Sequence, residues 1–152
     1  MIHIVLLKPQ IPPNTGNIAR LCAATGIRLH LVGPLGFQIT DRRLKRAGLD
    51  YWSSVELSRH DDLESLLSGI PKHLLFFFSA RASTSYVRAS FRQGSYLIFG
   101  NETSGLPTGV LRQFAERTYR IPIFEATVRS LNLSSAVAIV SYEALRQLGR
   151  LE

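Results

Sequence analysis

Short apolar runs without polar alternation recur along this chain, and most are followed by a stretch with helical spacing. Ile2–Leu7, Arg28–Val32, His73–Ser79 and Ser95–Phe99 read as strands covered on both faces, because a half-exposed strand alternates polar and apolar residues. Val55–Leu57 adds a short strand, and Arg117–Ile123 one interrupted by Pro122. Helices are expected over Asn14–Thr25, with Ile18, Leu21, Cys22 and Thr25 on one stripe and Gly26 as the stop. Others are expected over Asp41–Ala47, Asp61–Leu67, Pro107–Glu116 and Asn132–Leu148, the last carrying Leu133, Ala136, Val137, Val140 and Ala144 at helical spacing. Pro9, Pro12 and Pro13 argue for a non-helical loop before Asn14, the expected N-cap. Ala80–Gly94 is the least patterned stretch, a loop or a short helix. The order β-α-β-α-β-α-β-β-α-β-α fits an α/β fold with a mostly parallel sheet flanked by helices.

With 152 residues the chain is expected to form one domain, 1–152. Cys22 is the single cysteine, which excludes an intramolecular disulfide and a cysteine-based zinc site. It lies on the apolar stripe of its helix, so packing is its expected role. No apolar run approaches the ~20 residues of a membrane span, and Ile2–Leu7 is too short for a secretion signal. A cytoplasmic protein without a membrane partner is expected. Lys+Arg number 18 against 11 Asp+Glu, a net charge of +7, and only Lys8, Lys45 and Lys72 among the basic residues are lysines. Arginine's flat fork suits phosphate, although a GC-rich genome also raises arginine content.

Ligands of such sheets bind at the carboxyl ends of the strands. The loops there are Pro9–Gly16, Ser79–Ser85, Gly100–Pro107 and Phe124–Asn132. The first lacks a G-x-G-x-x-G sequence, which argues against a dinucleotide site. Gly100-Asn-Glu-Thr-Ser-Gly105 has Walker glycine spacing but continues into Leu106-Pro107 where Lys-Ser/Thr is needed, which excludes a nucleoside triphosphatase of that type. His3, His30, His60 and His73 lack metal-ligand spacing and read as packed or surface residues. Ser134-Ser135 has no G-x-S-x-G around it and reads as a helix cap.

Three segments set glycine or proline beside polar groups at a helix start: Asn14-Thr-Gly-Asn-Ile-Ala-Arg20, Gly100-Asn-Glu-Thr-Ser-Gly-Leu-Pro107 and Ile121-Pro-Ile…Arg129-Ser-Leu-Asn-Leu-Ser134. Helix starts offer unpaired N–H groups to polar ligands. In this order and spacing they closely resemble the three motifs of the SPOUT-class RNA 2′-O-methyltransferases. The nearest likeness is to the small tRNA (cytidine/uridine) 2′-O-methyltransferases that modify the wobble nucleotide. It covers essentially the whole chain, including Arg20-Leu-Cys-Ala-Ala-Thr-Gly26, Leu31-Val-Gly-Pro-Leu-Gly-Phe37, Gly48-Leu-Asp-Tyr51 and Tyr142-Glu-Ala-Leu-Arg-Gln147. Asn101 and Ser104 stand where the wobble enzymes often carry proline and arginine.

The resemblance implies a C-terminal trefoil knot formed by roughly Thr118–Glu152, which no pattern in the sequence shows. It implies S-adenosylmethionine as methyl donor, S-adenosylhomocysteine as product, no metal, and a homodimer whose active sites are shared between chains. The implied substrate is the anticodon loop of tRNA, with leucine tRNAs as targets. Arg20, Glu102, Ser130 and Asn132 are the implied catalytic residues. Phe78, Gly100, Ile121, Ile123, Ser130 and Leu131 would hold the cofactor, and Arg20, Arg129, Tyr142, Arg42, Arg43 and Arg46 the RNA. Arg20 would grip the target phosphate and stabilise the developing alkoxide, since a guanidinium is a poor base unaided. Capping, core packing and solvated charge remain the plain structural readings of these residues. Another tRNA or rRNA site, or a non-catalytic RNA-binding module of the same fold, are the competing functional readings.

Overall fold

The computed structural model describes residues 1–37 and 52–152. The expected helix 41–47, the residues Arg42, Arg43 and Arg46, and the segment 48–51 lie outside the described residues. Among the described residues, seven strands form one sheet: β1 (His3–Leu7), β2 (Arg28–Val32), β3 (Leu57–His60), β4 (Leu75–Phe78), β5 (Thr84–Ser85), β6 (Tyr96–Phe99) and β7 (Thr118–Arg120). Their spatial order is β3-β2-β1-β6-β4-β7-β5, and every pairing is parallel. The helices are α1 (Pro12–Thr25), α2 (Leu63–Leu67), α3 (Thr108–Gln113) and α4 (Leu133–Gln147).

The unbroken apolar runs are explained by two separate cores. Ile4, Leu6, Leu29, Leu31, Phe76, Phe78, Leu97 and Phe99 point to one face and pack with Ile18 and Cys22 of α1 and Val137, Val140 and Ala144 of α4. Val5, Leu7, Val32, Phe77 and Ile98 point to the other, against Leu66 of α2 and Val110 and Leu111 of α3. β1, β2, β4 and β6 therefore feed both layers, and period-2 alternation disappears from them. Burying a Leu, Ile or Phe side chain contributes about 1.5–3 kcal/mol, far more than strand propensity differences, so double coverage decides the pattern.

The start of α1 differs from the expected one. Asn14 is not its N-cap, because the helix begins at Pro12 with Ile11 as the cap residue. The prolines occupy the first helical positions, where N–H groups have no intrahelical partner and a fixed φ is already helical. The helix ends at Gly26, whose φ of 72° is left-handed. β3 lies at Leu57–His60 rather than Val55–Leu57, and Trp52–Ser54 is a 3₁₀ turn. α2 starts at Leu63, with the Asp62 carboxylate accepting the Ser65 N–H at 2.7 Å. Within 80–94 lie the two-residue β5 and a 3₁₀ turn at Tyr86–Arg88. α3 stops at Gln113, and a 3₁₀ turn, Ala115–Arg117, leads into β7. There Arg117 donates to the carbonyls of Leu75 and His73 and lies 4.4 Å over the Phe76 ring, fixing the approach to β7.

Candidate active site

β1, β6, β4 and β7 are consecutive in the sheet, so the segments after them gather at one edge. These segments are the turn into α1, the loop 100–107, the stretch after Phe78 and the segment 121–132. The three motif segments read from the sequence lie in these loops or in the helix starts that follow them.

Glu102 ties the middle loop to the first. Its carboxylate accepts the backbone N–H of Gln10 at 2.9 Å and of Ile11 at 3.0 Å, and the Asn14 side-chain amide at 3.4 Å. The Thr103 hydroxyl adds a bond to the Gln10 side-chain oxygen at 2.6 Å. Asn14 is buried, and its own side-chain oxygen accepts from the Asn132 amide at 3.0 Å. Asn132 also caps α4, its oxygen accepting the Ser134 N–H at 2.9 Å and the Ser134 hydroxyl at 2.6 Å. One hydrogen-bonded chain thus links the entry to α1, the loop after β6 and the start of α4. Charge-assisted bonds to the carboxylate are the stronger members of such a chain. Sequence reasoning missed Asn14 as the link. An asparagine beside a helix start is far more often a cap, and nothing local reveals a partner 118 positions away.

The loop after β6 is held by its own residues. Asn101 accepts from the N–H groups of Thr103 and Ser104 and from the Ser104 hydroxyl through one side-chain oxygen. The Gly105 N–H returns to the Asn101 carbonyl at 3.1 Å. A Cβ on Gly100 would sit 2.0 Å from the Gly105 carbonyl carbon and 2.2 Å from the Leu106 nitrogen. Glycine is required here by the loop's own backbone, whatever else approaches it.

Segment 121–132 is built differently. From Pro122 to Leu131 it makes a single backbone–backbone hydrogen bond among the described residues, Val128 N–H to the Glu125 carbonyl. Ile121, Ile123 and Leu131 are half-buried. Unmatched backbone groups beside partly covered apolar side chains are what a purine nucleoside needs from a binding loop. Phe78, at the end of β4, is a core side chain stacked on Phe99 at 4.8 Å, so its ring is taken up by packing.

Arg20 is exposed on α1, six positions past Asn14, or about 9 Å along the axis. Arg129, Ser130 and Tyr142 are exposed as well. Glu102 and Asn132 are drawn together through Asn14, whereas among the described residues no side-chain hydrogen bond is seen from Arg129, Ser130 or Tyr142 to that chain. Cys22 is buried, and burial pushes its thiol up to about 12, which leaves it unreactive.

His3, His30 and His60 form a row across β1, β2 and β3 that the sequence spacing concealed. His3 Nδ1 lies 2.9 Å from His30 Nε2, and His30 Nδ1 lies 3.0 Å from His60 Nε2. Tyr96 stacks on His3 at 4.1 Å. Burial holds His3 and His30 below the ordinary imidazole range, and the three rings bond one another in line, consistent with the packed reading of these histidines. Among the described residues no group of His, Cys, Asp and Glu is arranged to hold a metal ion.

The model of the SpoU rRNA Methylase family matches residues 1–142. The chain belongs to that family. A tRNA (cytidine(34)-2′-O)-methyltransferase of Escherichia coli K12 is 48% identical over 150 residues, covering 98% of this chain and 95% of the relative. A solved structure described as giving insights into the 2-OH methylation of C/U34 on tRNA is 49% identical, with a TM-score of 0.88 over 98% of this chain and 97% of that one. An AdoMet-bound rRNA methyltransferase from Sinorhizobium meliloti shares the fold at 24% identity and a TM-score of 0.79, covering 97% of this chain and 56% of that one.

Proposed function

We propose that this protein transfers a methyl group from S-adenosylmethionine to the ribose 2′-hydroxyl of nucleotide 34 of tRNA, a cytidine or a modified uridine. The observation that carries the reading is the full-length likeness to the E. coli enzyme, 48% identical. The clasp through Glu102, Asn14 and Asn132 supports the reading by joining residues of all three motif segments. Leucine tRNAs are the proposed targets and the cytoplasm the proposed compartment.

The donor supplies an electrophilic methyl group, so the proposed chemistry needs no metal. The backbone of Phe78, Gly100, Ile121 and Ser130, with the side chains of Ile121, Ile123 and Leu131, would hold its adenosine. Their support is the segment 122–131, where backbone groups stand unmatched beside half-buried apolar residues. Arg20 would grip the target phosphate and stabilise charge developing on the hydroxyl oxygen. Glu102 is assigned a positioning role, because its oxygens already accept from Gln10, Ile11 and Asn14. Asn132 positions the same loops and caps α4. Ser130, Arg129 and Tyr142 would meet RNA from exposed positions, and Arg42, Arg43 and Arg46 are proposed as phosphate contacts on their sequence alone.

We further propose the trefoil knot and the homodimer. β7 lies between β4 and β5, and α4 is fastened at both ends. Asn132 bonds Asn14, and Gln147 bonds the Ala89 carbonyl and the Phe91 N–H. A chain end tucked through an earlier loop needs such anchors. For the dimer, α4 exposes Ile139 at 37% and Tyr142 at 48%. Apolar exposure of this kind fits a two-fold interface in which Arg20 faces the partner's cofactor.

Two experiments test these assignments. S-adenosylmethionine and S-adenosylhomocysteine should raise the melting temperature while ATP and NAD do not, and equal stabilisation by ATP contradicts the cofactor assignment. Mixing an Arg20→Ala chain with a Leu131→Trp chain should restore partial activity through one intact composite site. A competent monomer in sedimentation contradicts the shared site.

A further inference from the structure

Phe124 is 93% exposed, the highest value among the exposed large apolar side chains. It follows the half-buried Ile121 and Ile123, and stands on the stretch from Pro122 to Leu131, whose one backbone–backbone hydrogen bond among the described residues runs from Val128 to Glu125. Exposed Arg120 and Arg129 flank it along the chain, Val128 is 47% exposed, and Glu125 is the one acid between the two arginines. Asn132, which ends the segment, is bonded to Asn14 on the helix that carries Arg20.

A phenyl ring held in water forgoes the transfer free energy that drives other aromatics inward. The arginines on either side favour an anionic partner, and the polar clasp beside the loop is the proposed seat of RNA chemistry. We propose that Phe124 is a stacking platform for an unpaired nucleobase of the RNA substrate, one adjacent to the methylated nucleotide. This rests on the reading of the protein as a tRNA methyltransferase. Phenylalanine has no hydrogen-bonding group, so it adds affinity whatever the base, through the π-face that every base possesses. Arg129 would take a phosphate near that base, which makes its share of binding salt-dependent, while Arg120 already donates to the Ala82 carbonyl at 3.5 Å.

The test measures binding of an anticodon stem-loop, binding of S-adenosylhomocysteine, and sedimentation, for wild type and for Phe124→Ala, Phe124→Leu and Phe124→Trp. Alanine and leucine should each weaken RNA binding by roughly 10-fold, and tryptophan should stay within about 2-fold of wild type. Cofactor affinity and assembly state should not change. Removing single bases beside nucleotide 34 should reveal one abasic position that weakens wild type but leaves Phe124→Ala no weaker, the coupling expected of two groups in contact. Leucine binding RNA as well as wild type overturns stacking. Loss of cofactor affinity, or a change in sedimentation, overturns the proposal by showing that the ring is covered by cofactor or by a second copy. A wild type that binds the stem-loop but methylates another nucleotide contradicts the functional reading alone, and the abasic coupling still decides the role of Phe124.

Discussion

The Asn132 side-chain amide donates to the side-chain oxygen of Asn14 at 3.0 Å, and Asn14 in turn donates to Glu102 at 3.4 Å. Two loops and a helix start therefore share one buried amide. Asn14→Ala should cost about 1–2 kcal/mol, since it removes a buried amide that bonds both the Glu102 carboxylate and the Asn132 amide. Asn14→Asp should cost more at neutral pH, because it sets a second carboxylate against Glu102 and removes the donor. The excess should shrink as pH falls into the carboxylate range. Denaturant unfolding of the two variants checks the order, and equal stability at neutral pH contradicts the clasp.

Arg20→Ala should lower turnover by ~100-fold or more while leaving S-adenosylhomocysteine affinity unchanged. Arg20→Lys should rescue poorly, because an ammonium lacks the planar fork. Single-turnover methylation assays and calorimetry read the two quantities separately. Near-normal turnover in Arg20→Ala contradicts the assignment.

Gly100→Ala should destabilise the protein by about 2–3 kcal/mol or more, because its Cβ would meet the Gly105 backbone at 2.0 Å and backbone cannot give way as a flexible side chain does. Gly109, where a Cβ meets nothing within 4 Å, is the control. Melting temperatures of the two alanine variants should separate clearly.

The sheet was legible in the sequence because double-sided burial writes itself as unbroken apolar runs, as in Leu75–Phe78 and Tyr96–Phe99. Helix boundaries were less so. Pro12 and Pro13 forbid a helix interior yet suit its first positions, and the sequence does not say which applies. The motif positions gather at one edge of the sheet, as their places after the strands suggest, but the bonds made there depend on partners distant in the chain. Glu102 stands 91 positions from the Ile11 N–H it accepts, and the histidine row exists only because β1, β2 and β3 are neighbours.

That row makes stability pH-dependent. Burial first, then Arg28 and the chain's amino terminus, holds His3 at about 4 from an ordinary 6.5, with Glu56 opposing. Burial first, then His3, His60 and Arg28, holds His30 at about 4. Protonation therefore favours the unfolded chain. The stabilisation is complete above about 6.5 and is lost as pH falls toward about 4. The melting temperature should decline through the upper part of that window, before carboxylates titrate, and His30→Asn should flatten the decline. A flat wild-type profile there contradicts the neutral row.

The most direct test is mass-spectrometric mapping of unmodified tRNA after incubation with this protein and S-adenosylmethionine. A single 2′-O-methyl group on nucleotide 34, absent with Arg20→Ala, is the predicted result. Methylation of a base or of another ribose, or none with folded protein and cofactor present, would contradict the account.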